Sequence, residues 1–389
     1  MLAKGAPWRR ELLTGPPAVY PLQELSCTAT GIRACFYQGL PYLGKETRVF
    51  AYWAVPQTAT GVKVPGVVLV HGGAGTAYRE WVERWVRRGY AAIAMDLEGH
   101  APVFSGKSDE LRRHRWSGPE KQGVFGDYAL PVEDQWMYHA TADAMLAHSF
   151  LRSLPQVDET RIGISGISWG GIITSLVAGI DRRLCFAVPV YGCGFLYERG
   201  TIYGEALAAM PEAEAGKIRK LWDPSSYLAD SRLPMLWVNG SNDTHFPLDI
   251  FGRSFELQQR GNASSVLSVH PGLKHSHSDG WSREEIYAFA DSVVLAGTPL
   301  PRLEPVLQRD KMVTVAYCSR LPVVSAKLYW SEDGINRRAL HWKTAEAQID
   351  ESRAIASARL PIGAGCFFFG LTDARGLSVS TPFQTASGR

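Results

Sequence analysis

The amino-acid sequence predicts an α/β chain: a mostly parallel sheet flanked by helices, followed by a small all-β sandwich. Three observations carry that reading. From about residue 47 to 298, β-branched runs alternate with segments of helical period, the pattern that builds a parallel sheet covered by helices. Beyond the linker Gly297-Thr298-Pro299-Leu300-Pro301, short strand-like runs follow one another without a helix of sheet-covering length. The chain has 389 residues, room for one large domain and a small one. The expected division is a catalytic domain over 1–300 and an immunoglobulin-like β-sandwich over 302–389.

In order along the chain, Val67-Val68-Leu69-Val70 reads as a strand that ends in His71-Gly72-Gly73. Trp81, Val82, Trp85 and Val86 recur at helical spacing within 78–88. Tyr90 to Met95 is the next strand, and the polar stretch 101–130 is too long for a simple connection, so it reads as a cap-like excursion. Val132 to Leu154 is a long helix stopped by Pro155, and Arg161 to Ser165 returns as a strand. A helix over 172–178, a strand over 186–190 and a second cap-like excursion at 193–230 follow. Met235 to Val238 and Val266 to Val269 are the last strands of the α/β part, closed by a helix over 283–295. In the C-terminal part, Met312 to Tyr317, Ala326 to Trp330 and Cys366 to Phe369 are the strand-like runs.

Composition excludes several classes of function. With 41 Lys and Arg against 38 Asp and Glu, the net charge of +3 gives no reason to expect nucleic acid or an anionic membrane as partner. No run approaches the ~18–20 apolar residues of a membrane span. The N-terminus lacks the apolar core of a secretory signal, so the cytoplasm is the expected location. None of the six cysteines forms a C-x-x-C pair, and they are expected as free thiols, with Cys27/Cys35 and Cys185/Cys193 the pairs close enough to keep disulfides open. No metal or cofactor is expected, and a homo-oligomer is left open.

Chemistry concentrates around Ser168. Gly166-Ile167-Ser168-Trp169-Gly170 carries the pattern G-x-S-x-G with a strand before it and a helix after it. The turn between them is tight enough that side chains two positions either side would collide, and it exposes the serine hydroxyl at the sheet's end. The amide of Trp169, at the helix N-terminus, can then face a developing oxyanion. A hydroxyl at neutral pH is a poor nucleophile and needs a base oriented by an acid. Asp243 follows the strand run at 236–238 and His275 follows the run at 266–269, both in the chain order this arrangement requires. His277 is an alternative base or a substrate contact, and His270 is expected to be buried at the strand end. The loop His71-Gly72-Gly73-Ala74-Gly75 supplies a second amide, that of Gly73, to the oxyanion. Trp116 and Tyr197, among the aromatics of the two excursions, are candidates to stack on a sugar or aryl group.

The run Asp158 to Gly171, with His71-Gly72-Gly73 and Asn239-Gly240-Ser241-Asn242-Asp243, resembles the acetylxylan esterase, dienelactone hydrolase and prolyl-oligopeptidase branch of the α/β-hydrolases. The resemblance covers about residues 45–298. It implies the α/β-hydrolase fold and a serine carboxylic-ester hydrolase: Ser168 nucleophile, Asp243 acid, His275 base, and Gly73 and Trp169 amides as oxyanion hole. A carbohydrate-linked or other small ester is the expected substrate. Two other readings stay open. One is an aminopeptidase or amidase on the same residues, with Glu98 or Asp127 holding the substrate amine. The other is a carbohydrate-binding protein that keeps the fold without catalysis.

Overall fold

The computed structural model describes every residue except 1, 4, 28, 103–110, 334–339 and 387–389. The first excursion therefore lies partly outside the described residues. The chain divides into two compact units, Met1–Leu233 and Pro234–Arg389.

In the first unit the strands are β1 (Val19–Cys27), β2 (Ile32–Gln38), β3 (Arg48–Ala54), β4 (Val64–Val70), β5 (Ala91–Met95), β6 (His100–Pro102), β7 (Leu111–Arg113), β8 (Val157–Ile167) and β9 (Ala187–Val190). The helices are α1 (Glu11–Thr14), α2 (Arg79–Arg87), α3 (Trp136–Ser153), α4 (Trp169–Ile180), α5 (Ile202–Ala208), α6 (Glu212–Trp222) and α7 (Ser225–Leu228). The sheet runs β1-β2-β3-β5-β4-β8-β9. Its first four strands pair antiparallel, and β5, β4, β8 and β9 pair parallel. Every residue of β4 and β5 is buried, which is why they read as continuous apolar runs. Strands β6 and β7 form a separate hairpin in the first excursion.

Strands β1 and β2 precede the segment in which the sequence predicts alternation. β1 carries Pro21 and a largely half-exposed pattern, both tolerated because it pairs only with β2 in this sheet. The position of β4 matters more for function. The chain moves from β4 to β5 on one side and from α3 to β8 on the other, so strand order reverses at β4. Val70 is in register with Gly166, which brings the loops after β4 and β8 together at that switch point.

The second unit begins with the parallel pair β10 (Leu236–Gly240) and β11 (Val266–His270), with helices α8 (Leu248–Gln259), α9 (His277–Trp281) and α10 (Glu284–Val294). Then come β12 (Arg302–Leu303), β13 (Leu307–Arg309), β14 (Met312–Cys318), β15 (Val323–Ser331), β16 (Lys343–Glu346), β17 (Gln348–Asp350), β18 (Ile355–Arg359), β19 (Cys366–Asp373), β20 (Ser378–Ser380) and β21 (Gln384–Thr385). They form two antiparallel sheets, β12-β14-β18-β17 with β13 on β14, and β16-β15-β19-β20 with β21 on β19. Alternation along β14 and β15 puts Val313, Val315, Ala326 and Leu328 in the core.

After α10 the described elements are all strands, and this part is joined to β11. Ser268 Oγ donates to the Ser378 carbonyl at 2.6 Å, and Val269 N–H donates to Ser380 Oγ at 3.1 Å. Arg375 holds the linker itself through the carbonyls of Thr298 and Pro299. All six cysteines are free thiols. Among the described residues no helix is long and apolar enough to cross a membrane.

Candidate active site

Ser168 occupies the turn between β8 and α4 with φ 58° and ψ −118°. A non-glycine residue at positive φ is strained, and such strain concentrates at functional positions. The flanking glycines are required by contact. A Cβ on Gly166 would run into the Gly170 carbonyl and the Thr174 hydroxyl, and one on Gly170 into the Val70 carbonyl. The elbow thus lies close against both its own helix and β4, as the G-x-S-x-G spacing predicts.

The loop after β4 is held by His71, which is buried. Its Nε2 accepts the Leu97 amide at 2.8 Å, so the ring proton is on Nδ1 and is donated to the Gly72 carbonyl at 2.6 Å. Gly72 C=O and Gly73 N–H are the two ends of one trans peptide and point in opposite directions. Fixing the carbonyl therefore fixes the Gly73 N–H, the amide the sequence assigns to the oxyanion. His71 is thus structural, as its place directly before the two glycines suggests. Further along the same loop, the Ala74 amide donates to Glu98 Oε1 at 3.2 Å.

The Trp169 side chain forms the other wall of that loop. Its ring is edge-packed against Phe125, Trp136 and Tyr203 at 5.5, 5.4 and 5.3 Å between centroids. Lys121 Nζ lies 5.3 Å above it, and 4.0 Å from Glu98 Oε1. Of the aromatics proposed for stacking, Trp116 packs on Phe36 and meets the guanidiniums of Arg48 and Arg115. Tyr197 contacts Phe195 and lies beneath Arg219. Both are half-buried. Asp127 is buried with Oδ2 accepting the Trp136 amide at 2.6 Å, and burial raises its pKa.

In the second unit an aspartate and a histidine are paired. Asp243 lies in the loop after β10. Its Oδ1 accepts the amides of His245 and Phe246, at 2.9 and 3.0 Å, so the Asx-turn that the local sequence permits is formed. Its other oxygen, Oδ2, is 2.6 Å from His275 Nδ1. The carboxylate is 2% exposed and the imidazole 24% exposed, so the bond is largely shielded from water. Phe246 stacks on the His275 ring at 6.1 Å and 12°, which holds the ring plane. His277 opens α9 and faces Trp281 at 6.5 Å between centroids, and the histidine bonded to Asp243 is His275. His270 is half-buried, 2.9 Å from Ser268 Oγ, with its pKa lowered by burial.

Two further residues lie around this pair. His245 lies beside His275 at 4.6 Å between ring centroids, and Asp243, His245 and His275 bring one ligand atom each within 4.8 Å of one another. Asp243 Oδ1 accepts two amides and Oδ2 faces the His275 imidazole, a pairing that can orient a base. Trp342, in the C-terminal part, donates from Nε1 to the Ser241 carbonyl at 3.1 Å and so braces the Asp243 loop. Nothing in the sequence points to that contact, because 101 residues separate its partners.

The chain is similar to several known proteins. The family model for acetyl xylan esterase (AXE1) matches residues 21–225, and one for PhoPQ-activated pathogenicity-related protein matches 202–338. A protein of Methylorubrum extorquens described as "Putative carboxymethylenebutenolidase" is 24% identical, over 67% of this chain and 79% of that one. One of Salmonella typhimurium with the same description is 25% identical, over 69% and 92%. Among solved structures, the acetyl xylan esterase from Paenibacillus sp. R4 has a TM-score of 0.54 at 19% identity, covering 72% of this chain and 89% of that chain. Acetyl xylan esterase 1 from Thermoanaerobacterium sp. JW/SL YS485 has 0.52 at 16%, covering 74% and 90%. These likenesses identify the α/β-hydrolase fold.

Proposed function

The chain belongs to the acetyl xylan esterase (AXE1) family, and from that premise we propose that it hydrolyses carboxylic esters of small or carbohydrate-linked alcohols through an acyl-enzyme on Ser168. The observation that carries the reading is Ser168 at positive φ on a strand–helix elbow, beside a loop whose Gly73 amide is aimed by His71.

Ser168 Oγ attacks the ester carbonyl while His275 Nε2 takes its proton. Asp243 keeps the His275 proton on Nδ1 and stabilises the imidazolium that forms. The Gly73 and Trp169 amides hold the oxyanion, each contributing about 3–4 kcal/mol of transition-state stabilisation. His275 returns its proton to the departing alkoxide. Water, deprotonated by the same nitrogen, then releases the carboxylic acid.

In the amidase alternative the substrate amine would fall to Glu98 or Asp127, whose carboxylates each accept one backbone amide, from Ala74 and Trp136. The test compares p-nitrophenyl acetate with alanine p-nitroanilide, using Ser168→Ala as control. Ester hydrolysis that vanishes in the variant, with at most trace anilide hydrolysis, supports the proposal. A preference for the anilide, or an active Ser168→Ala, contradicts it.

A further inference from the structure

The second unit has a cavity of about 520 Å³ at the end of β10 and β11 where the strands begin, the end opposite to the Asp243 and His275 loops. A volume of a few hundred Å³ suits a small organic ligand. Along β11 the separation from the catalytic end is four residue steps, ~13 Å at ~3.3 Å per residue. The floor is apolar: Val266, Phe289 and Leu300 line it and are themselves buried. Ser264, Ser292 and Cys318 also line it, with two exposed arginines, Arg302 and Arg320.

Arg302 of β12 is directly opposite Cys318 of β14, Arg320 lies in the bend that follows β14, and all three border the cavity. Among the described residues neither guanidinium has a carboxylate partner. A carboxylate at this surface could accept charge-assisted, bidentate hydrogen bonds from these guanidiniums. A bare inorganic ion would leave the apolar floor wet. A neutral apolar molecule would leave the arginines unused.

We infer that this cavity is a second, non-catalytic site for an organic carboxylate with an aryl or short alkyl body, its carboxylate on Arg302 and Arg320 and its apolar part on Phe289, Val266 and Leu300. The site stands on the second unit alone and does not depend on the reaction at Ser168.

The test uses 2-naphthoate, its neutral isostere 2-naphthamide, and inorganic phosphate on the whole protein. Calorimetry reads binding. The rate of Cys318 alkylation by iodoacetamide, followed by peptide mass spectrometry, reads location, because that thiol is exposed at the cavity. Saturable one-to-one binding of naphthoate that slows Cys318 alkylation is expected. Arg302→Gln and Arg320→Gln should each weaken it about tenfold, as loss of a charge-assisted hydrogen bond does. Naphthamide and phosphate should bind at least about tenfold more weakly. The inference is overturned by equal binding of naphthamide or phosphate, or by naphthoate binding that leaves Cys318 alkylation unchanged. It is also overturned by arginine variants that bind naphthoate as the wild type does, or by no saturable binding.

Discussion

Gly73→Ala separates the oxyanion loop from every other part of the proposed mechanism. A Cβ at position 73 would lie 3.0 Å from Trp169 Cδ1, 3.6 Å from its Nε1 and 3.7 Å from Lys121 Nζ. Carbon atoms pack comfortably at about 3.5–4.0 Å, so the first contact is short by ~0.5 Å or more. The Trp169 ring cannot retreat, because Phe125, Trp136 and Tyr203 pack its edges and faces. The loop must move instead, and it carries the Gly73 N–H with it. A misplacement of 1 Å in a catalytic constellation costs on the order of 100-fold, so ~0.5 Å predicts about a tenfold fall in kcat. The ceiling is the ~100–1,000-fold loss seen when an oxyanion donor is removed outright. The assay is kcat and KM on p-nitrophenyl acetate, with the melting temperature as a check on folding. A fall in kcat of tenfold or more, with KM little changed, is expected. A folded Gly73→Ala protein with wild-type kcat would refute the assignment of this amide.

The other predictions concern the acid, its brace, and pH. Asp243→Asn removes the acceptor that keeps the His275 proton on Nδ1, and kcat should drop by about 10⁴-fold with the fold intact by circular dichroism. A loss below tenfold would show that another group orients the base. Trp342→Phe keeps an aromatic ring but cannot donate to the Ser241 carbonyl, so kcat should fall by about threefold to tenfold through a looser Asp243 loop. Unchanged kcat would limit Trp342 to packing against Phe368 and Phe383.

Burial lowers the pKa of His114 and His139 to about 4, against an ordinary 6.5. Between those values the unfolded chain binds protons that the fold does not. Their stabilisation is therefore complete above about pH 6.5 and is lost as pH falls toward 4, by about 1–2 kcal/mol each at pH 5. His139→Gln should lose less stability than the wild type between pH 7.5 and 5 in urea titrations, and an equal loss would contradict the buried-neutral assignment.

The Ser168 elbow was legible in the sequence because its constraint is local. Close approach of α4 to β8 and β4 leaves no room for a Cβ at Gly166 or Gly170, and that exclusion is written as a spacing of glycines. Asp243 and His275 were legible for a related reason, since each follows an apolar run that ends a buried strand. Less was visible where the cause is remote. β1 escaped notice because Pro21 and half-exposed residues blur its period. The brace from Trp342 depends on the sandwich folding against the β10 loop, which no local pattern encodes. Aromatics such as Phe125 and Tyr203 read equally well as substrate platforms or as packing, and the structure places them around Trp169.

The most direct test of the central claim, that His275 activates Ser168, is the rate of fluorophosphonate labelling read by peptide mass spectrometry in wild type, His275→Ala and His277→Ala. The account predicts a single adduct on Ser168, formed at similar rates in wild type and His277→Ala and at least ~100-fold more slowly in His275→Ala. An adduct on another residue, or undiminished labelling of His275→Ala, would contradict it.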